Sequence, residues 1–176
     1  KIIKKFYEDT PFPNYKNSDN KVSILEIGNS NYFMKNLKKF IGNNKKVLEI
    51  GSGTCQFSNY LAIGSNNEIV AFDSSLESLR LGSEFAKKNR LENIKFVRGD
   101  IFDEIFSDEY FDFIITNGVL HHTGNAKKAF EKASFPLKIN GHIFVGLYNR
   151  YGRVRTIIRK YIYKLLGQKI LFLLDP

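Results

Sequence analysis

The sequence is poor in the features that stabilise secreted or membrane-spanning proteins. Cys55 is the only cysteine, so no disulfide can form within the chain, and a reducing compartment is expected. The longest uninterrupted apolar stretch, Ile170–Leu174, is far shorter than the roughly 20 residues that a membrane-spanning helix needs. The first six residues include three lysines and contain no signal-peptide core. We therefore expect a cytoplasmic protein.

Tryptophan is absent and methionine occurs once, whereas the chain has 16 phenylalanines and nine tyrosines. With 43% hydrophobic and 26% charged residues among 176, this composition predicts one globular domain with an aromatic-rich core. The chain opens on Lys1 and stops at Pro176, and from this we expect a fragment of a longer protein.

The positive charge is concentrated at one end of the chain. Residues 150–176 contain seven Lys or Arg and one acid, so this segment carries six of the nine net positive charges. The rest of the chain is close to neutral, and its composition gives no reason to expect nucleic-acid binding. An amphipathic helix is predicted over 154–166. This helix either covers the sheet or docks on an anionic membrane or on RNA.

Short apolar strands alternate with helices from Lys45 onward, and this alternation indicates a parallel sheet that is covered on both faces. The predicted fold class is α/β, a Rossmann-like, doubly wound and mainly parallel sheet with helices on both faces. Three regions are expected: an arm and helix at 1–44, a core at 45–149 and the basic helix at 150–176. The predicted strands are 22–27, 46–50, 68–72, 94–97, 111–116 and 141–147, and the predicted helices are 31–41, 56–63, 76–88, 126–133 and 154–166.

The loop after the first core strand is rich in glycine. Gly51 and Gly53 allow a tight turn and a close approach to a ligand, and the helix that follows offers unpaired N–H groups. The dinucleotide pattern Gly-x-Gly-x-x-Gly requires a third glycine where Gln56 stands. This departure argues against an NAD site.

The second core strand ends at Asp73, twenty residues after Gly53. A carboxylate at this position accepts hydrogen bonds from both hydroxyls of a ribose, which predicts a nucleoside ligand. The alternative is a helix cap before Leu76, a role that Ser74 or Ser75 fills equally well.

The segment Glu49-Ile50-Gly51-Ser52-Gly53-Thr54-Cys55 resembles motif I of class I methyltransferases, an acidic residue followed by Gly-x-Gly-x-Gly, and departs from it at Cys55. Arg98-Gly99-Asp100-Ile101 and Asn117-Gly118-Val119-Leu120-His121-His122-Thr123 are similar to the loops after the third and fourth strands of that family. Segments 7–15 and 146–153 resemble a bacterial family of methyltransferases whose substrate is unknown. The resemblance implies S-adenosyl-L-methionine as cofactor, bound by Glu49, Gly51, Ser52, Gly53, Asp73, Ser74, Asp100, Ile101 and Asn117.

In such a family Asp100 takes the adenine amino group, Ile101 packs on the ring, and the loop at Asn117 passes beneath the methionine part of the cofactor. His121 and His122 are the candidate general bases, because imidazole titrates near neutral pH. The alternative is that one histidine packs the loop and the other bonds the backbone. No cysteine or carboxylate stands beside them at metal-ligand spacing, so no metal is expected.

The loop Asn117–Thr123 resembles that of many small-molecule methyltransferases, and this resemblance implies a small-molecule acceptor. The loop also lacks the Pro-Pro-aromatic pattern of enzymes that methylate amino groups of nucleic-acid bases, which argues against a DNA N-methyltransferase. The arm at 7–15 is either a lid over the cofactor or a patch on the edge of the core. Two other functions stay open: an NAD-type oxidoreductase, and a non-catalytic cofactor-binding module that docks to membrane or RNA through its basic tail.

Overall fold

The computed structural model describes residues 11–147. The predicted helix at 154–166 and the first part of the arm lie outside the described residues. The helices within them are α1 (Lys21–Ser30), α2 (Tyr32–Ile41), α3 (Gln56–Ala62), α4 (Leu76–Lys88) and α5 (Ala126–Ser134), and the strands are β1 (Lys46–Ile50), β2 (Glu68–Asp73), β3 (Ile94–Arg98), β4 (Phe111–Asn117) and β5 (Leu137–Gly146).

All neighbouring strands of the sheet are parallel, in the order β3-β2-β1-β4-β5. The chain therefore moves outward from β1 through β2 to β3, then returns to place β4 on the other side of β1. This reversal is the topological switch point at which α/β proteins of this kind bind ligands. The doubly wound parallel sheet predicted from the sequence is confirmed.

The helices cover both faces of the sheet, as predicted. Helices α1 to α4 pack on one face, where Tyr60 and Leu79 join Val47 and Ile115 in one core cluster. Helix α5 packs on the opposite face through two small residues, in a second cluster with the strand side chains of that face. The alternate side chains of the buried strands are therefore apolar on both sides. No helix in the described part of the chain is both long and apolar enough to span a bilayer.

The predicted strand at 22–27 is wrong, because this segment lies within helix α1. The Asn20 side chain accepts hydrogen bonds from the backbone N–H groups of Val22 and Ser23, and the Ser23 hydroxyl accepts one from Asn20 N. This reciprocal capping box starts a helix at Lys21. It outweighs the strand propensity of Val22 and its neighbours. Helix α2 agrees with its prediction, with Asn31 as its N-cap residue.

Strand β5 begins earlier than the predicted residue, Gly141. Leu137 pairs with Phe111, and His142 pairs with Phe113 two residues further along β4, so the two strands are joined through an irregularity. Asn140 has a left-handed backbone at this point, with φ of 64°. The other core strands and helices lie within one residue of their predicted bounds.

Candidate functional site at the carboxyl edge of the sheet

Four loops of the sheet lie side by side at its carboxyl edge. Gly51 follows β1, Asp73 ends β2, Asp100 comes after β3 and Asn117 ends β4. Because these strands are neighbours in the sheet and all parallel, their loops line the same edge. The structure thus brings together the four positions that the sequence singled out.

The loop after β1 is held in a left-handed conformation by two glycines. Gly51 has φ of 72° and Gly53 has φ of 53°. A Cβ atom on Gly51 would overlap Cγ2 of Val119 in the loop after β4, and one on Gly53 would lie 2.6 Å from the carbonyl oxygen of Phe12. Both glycines are therefore required by the close packing of protein segments around the loop, as well as by its turn.

Cys55 occupies the place of the third glycine in this loop and keeps a left-handed backbone, with φ of 62°. Its side chain is fully buried, and burial raises the pKa of the thiol above its usual range. A Cβ atom on Gly82 of α4 would lie 2.6 Å from Cβ and 2.7 Å from Sγ of Cys55. Gly82 therefore makes room for the cysteine, a compensation that the sequence pattern does not reveal.

Asp73 joins the glycine-rich loop to the start of α4. Its Oδ2 accepts a hydrogen bond from Gly53 N at 2.8 Å, and its Oδ1 accepts one from Ser75 N at 2.8 Å. The N-cap residue of α4 is Ser75, whose hydroxyl accepts from Ser78 N at 3.2 Å. Asp73 is therefore not the N-cap residue of α4. That role belongs to Ser75, one of the two serines that the sequence offered for it. Ser74, between them, accepts from Arg98 Nε through its carbonyl at 3.4 Å.

Glu49 is buried beneath the loop, on the face of the sheet covered by α3. Its Oε2 accepts a hydrogen bond from the Ser58 hydroxyl. Burial raises the pKa of Glu49 to about 8, the hydrogen bond from Ser58 lowers it, and the neighbouring charge of Asp73 raises it further. Ser52 is also buried, with its hydroxyl 3.4 Å from Sγ of Cys55. Neither side chain lies open at the edge of the sheet.

The loop after β3 exposes Asp100 and half-buries Ile101. Asp100 Oδ1 accepts from Phe102 N at 3.1 Å, while Asp100 N donates to Asp103 Oδ2 at 3.1 Å, so the turn is held locally. Ile101 packs against the core cluster on the α5 face of the sheet. Asp100 is thus accessible to a ligand, whereas part of the Ile101 side chain is buried against the core.

The two histidines of the loop after β4 differ in accessibility. The ring centroids of His121 and His122 are 4.0 Å apart, and both ring nitrogens of His121 are buried. His122 is exposed. Asn117 is also exposed at the end of β4, and a Cβ atom on Gly146 would overlap its Oδ1. His122 and Asn117 are therefore the polar side chains of this loop that an incoming molecule can reach.

The described part of the arm packs on the glycine-rich loop and on α3. Thr54 Oγ1 donates to Pro13 O, Gln56 Nε2 donates to Asn14 O at 3.1 Å, and Asn59 Nδ2 donates to Tyr15 Oη at 2.8 Å. The Tyr15 ring also stacks on Phe85 of α4, with ring centroids 4.8 Å apart. Sequence reasoning missed these three donors, because no local pattern links residues separated by more than 40 positions.

Residues 41–163 match a family model described as a methyltransferase domain. This match covers more than half of the chain, and the protein belongs to that family. The fold and the arrangement of loops therefore define a class I methyltransferase domain, as the sequence motifs implied.

Among curated relatives, the uncharacterised methyltransferase YcgJ of Bacillus subtilis is 29% identical over 104 residues, which are 57% of this chain and 39% of the relative. The demethylmenaquinone methyltransferase of Staphylococcus aureus is 28% identical over 132 residues, or 73% of this chain and 54% of that enzyme. The chain thus spans about half the length of these relatives or less. A crystal structure of a SAM-dependent methyltransferase from Aquifex aeolicus has a TM-score of 0.58 at 20% identity, over 73% of this chain and 72% of that one, and this likeness shows the shared fold.

Proposed function

We propose that this chain binds S-adenosyl-L-methionine at the carboxyl edge of the sheet and supports methyl transfer to a small-molecule acceptor. The observation that carries the proposal is the fixed position of Asp73. Its carboxylate is held by Gly53 N and Ser75 N at the topological switch point, next to the glycine-rich loop.

The side chains at this edge fit the chemistry of an adenosyl ligand with an amino-acid tail. A carboxylate at Asp73 accepts hydrogen bonds from ribose hydroxyls, and the exposed Asp100 accepts from an exocyclic amino group such as that of adenine. Asn117 offers both a donor and an acceptor at the neighbouring strand end. Glu49 adds a buried acid close to the loop. Asp73, Asp100 and Asn117 would hold the cofactor between the loops of β1 to β4, with Glu49 buried beneath them.

When it is bound, the cofactor supplies a methyl group on a positively charged sulfur, which is a reactive donor. The part of the protein is then mainly to orient the acceptor and exclude water, an effect worth several kcal/mol. The Phe12 carbonyl of the arm and the Val119 side chain lie directly against Gly53 and Gly51 of the glycine-rich loop. For an acceptor that carries a proton, the accessible His122 is the better candidate base, because the ring nitrogens of His121 are buried.

The choice of a small-molecule acceptor is supported by the loop after β4 and by one relative. The loop residues Asn117 to Leu120 lack the Pro-Pro-aromatic pattern of enzymes that methylate nucleic-acid bases. The relative named demethylmenaquinone methyltransferase acts, by its name, on a small molecule. Incubation with labelled cofactor and a cell extract tests this, since label is expected in the low-molecular-weight fraction. Label found only in protein or nucleic acid would contradict the small-molecule acceptor.

The substitution Asp73→Asn tests the cofactor site. Loss of the charge is expected to weaken binding of S-adenosylmethionine and S-adenosylhomocysteine roughly 10- to 100-fold, because a hydrogen bond to a charged group contributes about 1.5–3 kcal/mol. Isothermal titration calorimetry measures this affinity directly. Both nucleosides are also expected to raise the melting temperature of the wild type, whereas NAD leaves it unchanged.

Glu68→Gln is the matched control, because Glu68 is an exposed acid at the opposite end of the same strand, β2. This variant is expected to bind the cofactor as the wild type does. Unchanged affinity in Asp73→Asn would show that the ribose assignment is wrong, and stabilisation by NAD alone would favour an oxidoreductase instead.

A further inference from the structure

Gly146 ends strand β5, and its missing side chain leaves the space in which the Asn117 side chain lies. A Cβ atom on Gly146 would overlap Oδ1 of Asn117, and it would lie 2.9 Å from Cγ and 3.2 Å from Cα of the same residue. The two closest of these atoms belong to the movable end of the Asn117 side chain. Any residue larger than glycine at position 146 would therefore push the Asn117 amide out of its place.

The backbone of Gly146 does not itself require glycine. Its φ lies outside the left-handed region, unlike those of Gly51 and Gly53. A glycine inside a strand weakens the strand, because it has no side chain to pack and loses more conformational freedom on folding. Such a glycine often marks a place where another group approaches the backbone closely. The group that approaches Gly146 is the Asn117 amide.

The register of β4 and β5 brings the two residues together. Asn117 pairs with Gly146 at the carboxyl end of both strands, and Gly146 O accepts a hydrogen bond from Gly118 N at 2.9 Å. The irregularity near the start of β5 decides this register. Without it, the pairing that begins at Leu137 would place Ile143 opposite Asn117. The irregularity thus supplies a glycine where a regular strand would supply a branched side chain.

We propose that Gly146 is a positioning residue of the candidate site: it admits the rotamer of Asn117 in which the amide lies against the end of β5, and this is the rotamer in which Asn117 binds the cofactor. The inference rests on the part given to Asn117 in the proposed function. Because Asn117 is exposed, other staggered rotamers that point away from β5 are open to it once this one is blocked. Gly146 therefore acts through Asn117, and the fifth strand takes part in the site.

A double-mutant cycle on cofactor affinity tests the proposal, with Gly146→Ala and Asn117→Ala as its single variants. Titration calorimetry with S-adenosylhomocysteine is expected to show a loss of about 3- to 10-fold for each of them, as for the loss of one hydrogen bond. The double variant should bind no more weakly than Asn117→Ala, because alanine at position 117 has no amide to displace.

Val145→Ala is the matched control. Val145 precedes Gly146 in the chain, but its side chain packs on the opposite face of the sheet, against the cluster that includes α5. Its truncation loosens the same strand end and adds no atom beside Asn117, so the affinity for S-adenosylhomocysteine is expected to stay at the wild-type value. Urea unfolding shows that each variant is folded. Gly146→Ala should unfold near the wild-type midpoint, because the displaced amide turns into solvent.

A readout without ligand follows the Asn117 side chain directly. Its NH2 resonances in a proton–nitrogen NMR spectrum are identified by their absence in Asn117→Ala. They are expected to move in Gly146→Ala and to keep their positions in Val145→Ala. Unchanged Asn117 resonances in Gly146→Ala would overturn the inference.

The outcomes of the titrations separate the inference from the proposed function. A wild type that binds neither S-adenosylmethionine nor S-adenosylhomocysteine contradicts the proposed function, and wild-type affinity in Asn117→Ala contradicts the part given there to Asn117. A loss in Asn117→Ala together with wild-type affinity in Gly146→Ala overturns the inference alone. A loss in Gly146→Ala that adds in full to that of Asn117→Ala overturns it as well, because the effect then does not act through the amide.

Discussion

At the scale of single residues, Cys55 and Gly82 form a complementary pair. A left-handed backbone costs a residue with a side chain about 1–2 kcal/mol, and Cys55 adopts it at a position where the related pattern has glycine. The buried thiol compensates by filling the space above Gly82. The replacement of the third motif glycine by Cys55 is thus accommodated by a glycine in α4, a helix that is distant in the sequence. The spacing of residues within the motif does not show this contact.

A double-mutant cycle tests this pairing. Gly82→Ala is expected to destabilise the protein by about 1–3 kcal/mol, because the new methyl group would crowd Cβ and Sγ of Cys55 and the carbonyl oxygen of Thr54. In the background of Cys55→Gly this cost should fall by at least about 0.5 kcal/mol, since two of the three crowding atoms are gone. Urea unfolding of the four proteins measures both values.

Alanine also has a higher helix propensity than glycine, which stabilises α4. This gain is the same for Gly82→Ala in the wild type and in Cys55→Gly, so it cancels when the two values are compared. Additive effects of the two substitutions would contradict the pairing.

At the scale of secondary-structure elements, the apolar strands could be predicted because parallel strands buried on both faces read as short continuous apolar runs. Strands β1 to β4 and helix α4 lie within one residue of prediction for this reason. Helix α1 could not be predicted from its weak apolar pattern, because the reciprocal bonds of Asn20 and Ser23 decide its conformation. The residues of the candidate site could be predicted because they stand at the ends of the predicted strands. The contacts of the arm could not, because they depend on tertiary packing.

The arm is fixed by side chains of the adjacent loop and helix, and Thr54→Val tests how much its position depends on them. Valine has the shape of threonine but cannot donate to Pro13 O, so the bond that holds the middle of the arm is lost. Hydrogen exchange measured by mass spectrometry is expected to increase at residues 12–16. If the arm is a lid, affinity for the cofactor should also fall several-fold, as for the loss of a hydrogen bond worth about 1 kcal/mol.

Ser65→Ala is the control for the loss of a hydroxyl donor, because the Ser65 hydroxyl donates within its own turn, to Leu61 O at 2.8 Å, at the end of the sheet opposite the candidate site. Faster exchange in the arm without loss of affinity would favour the alternative, in which the arm patches the edge of the core. Unchanged exchange would show that Thr54 does not hold the arm.

At the scale of the whole molecule, the strand order is what turns scattered sequence motifs into one site. Gly51, Asp73, Asp100 and Asn117 are separated by up to 66 positions, yet the strands that carry them are neighbours. A single ligand that spans the switch point should therefore protect all four loops together. Hydrogen exchange is expected to slow on addition of S-adenosylhomocysteine at 51–55, 73–76, 99–102 and 117–120.

The opposite edge of the sheet is the internal control, because the loops at 42–46, 64–68 and 107–110 lead into β1, β2 and β4 from the amino end. Exchange there should change only through global stabilisation, which the slowest core amides of β1 and β4 report independently. Protection confined to one loop would be contrary to a ligand that bridges the switch point. Protection at the amino edge would place the ligand elsewhere, and the parallel order of the strands would then no longer explain why these four residues occur together.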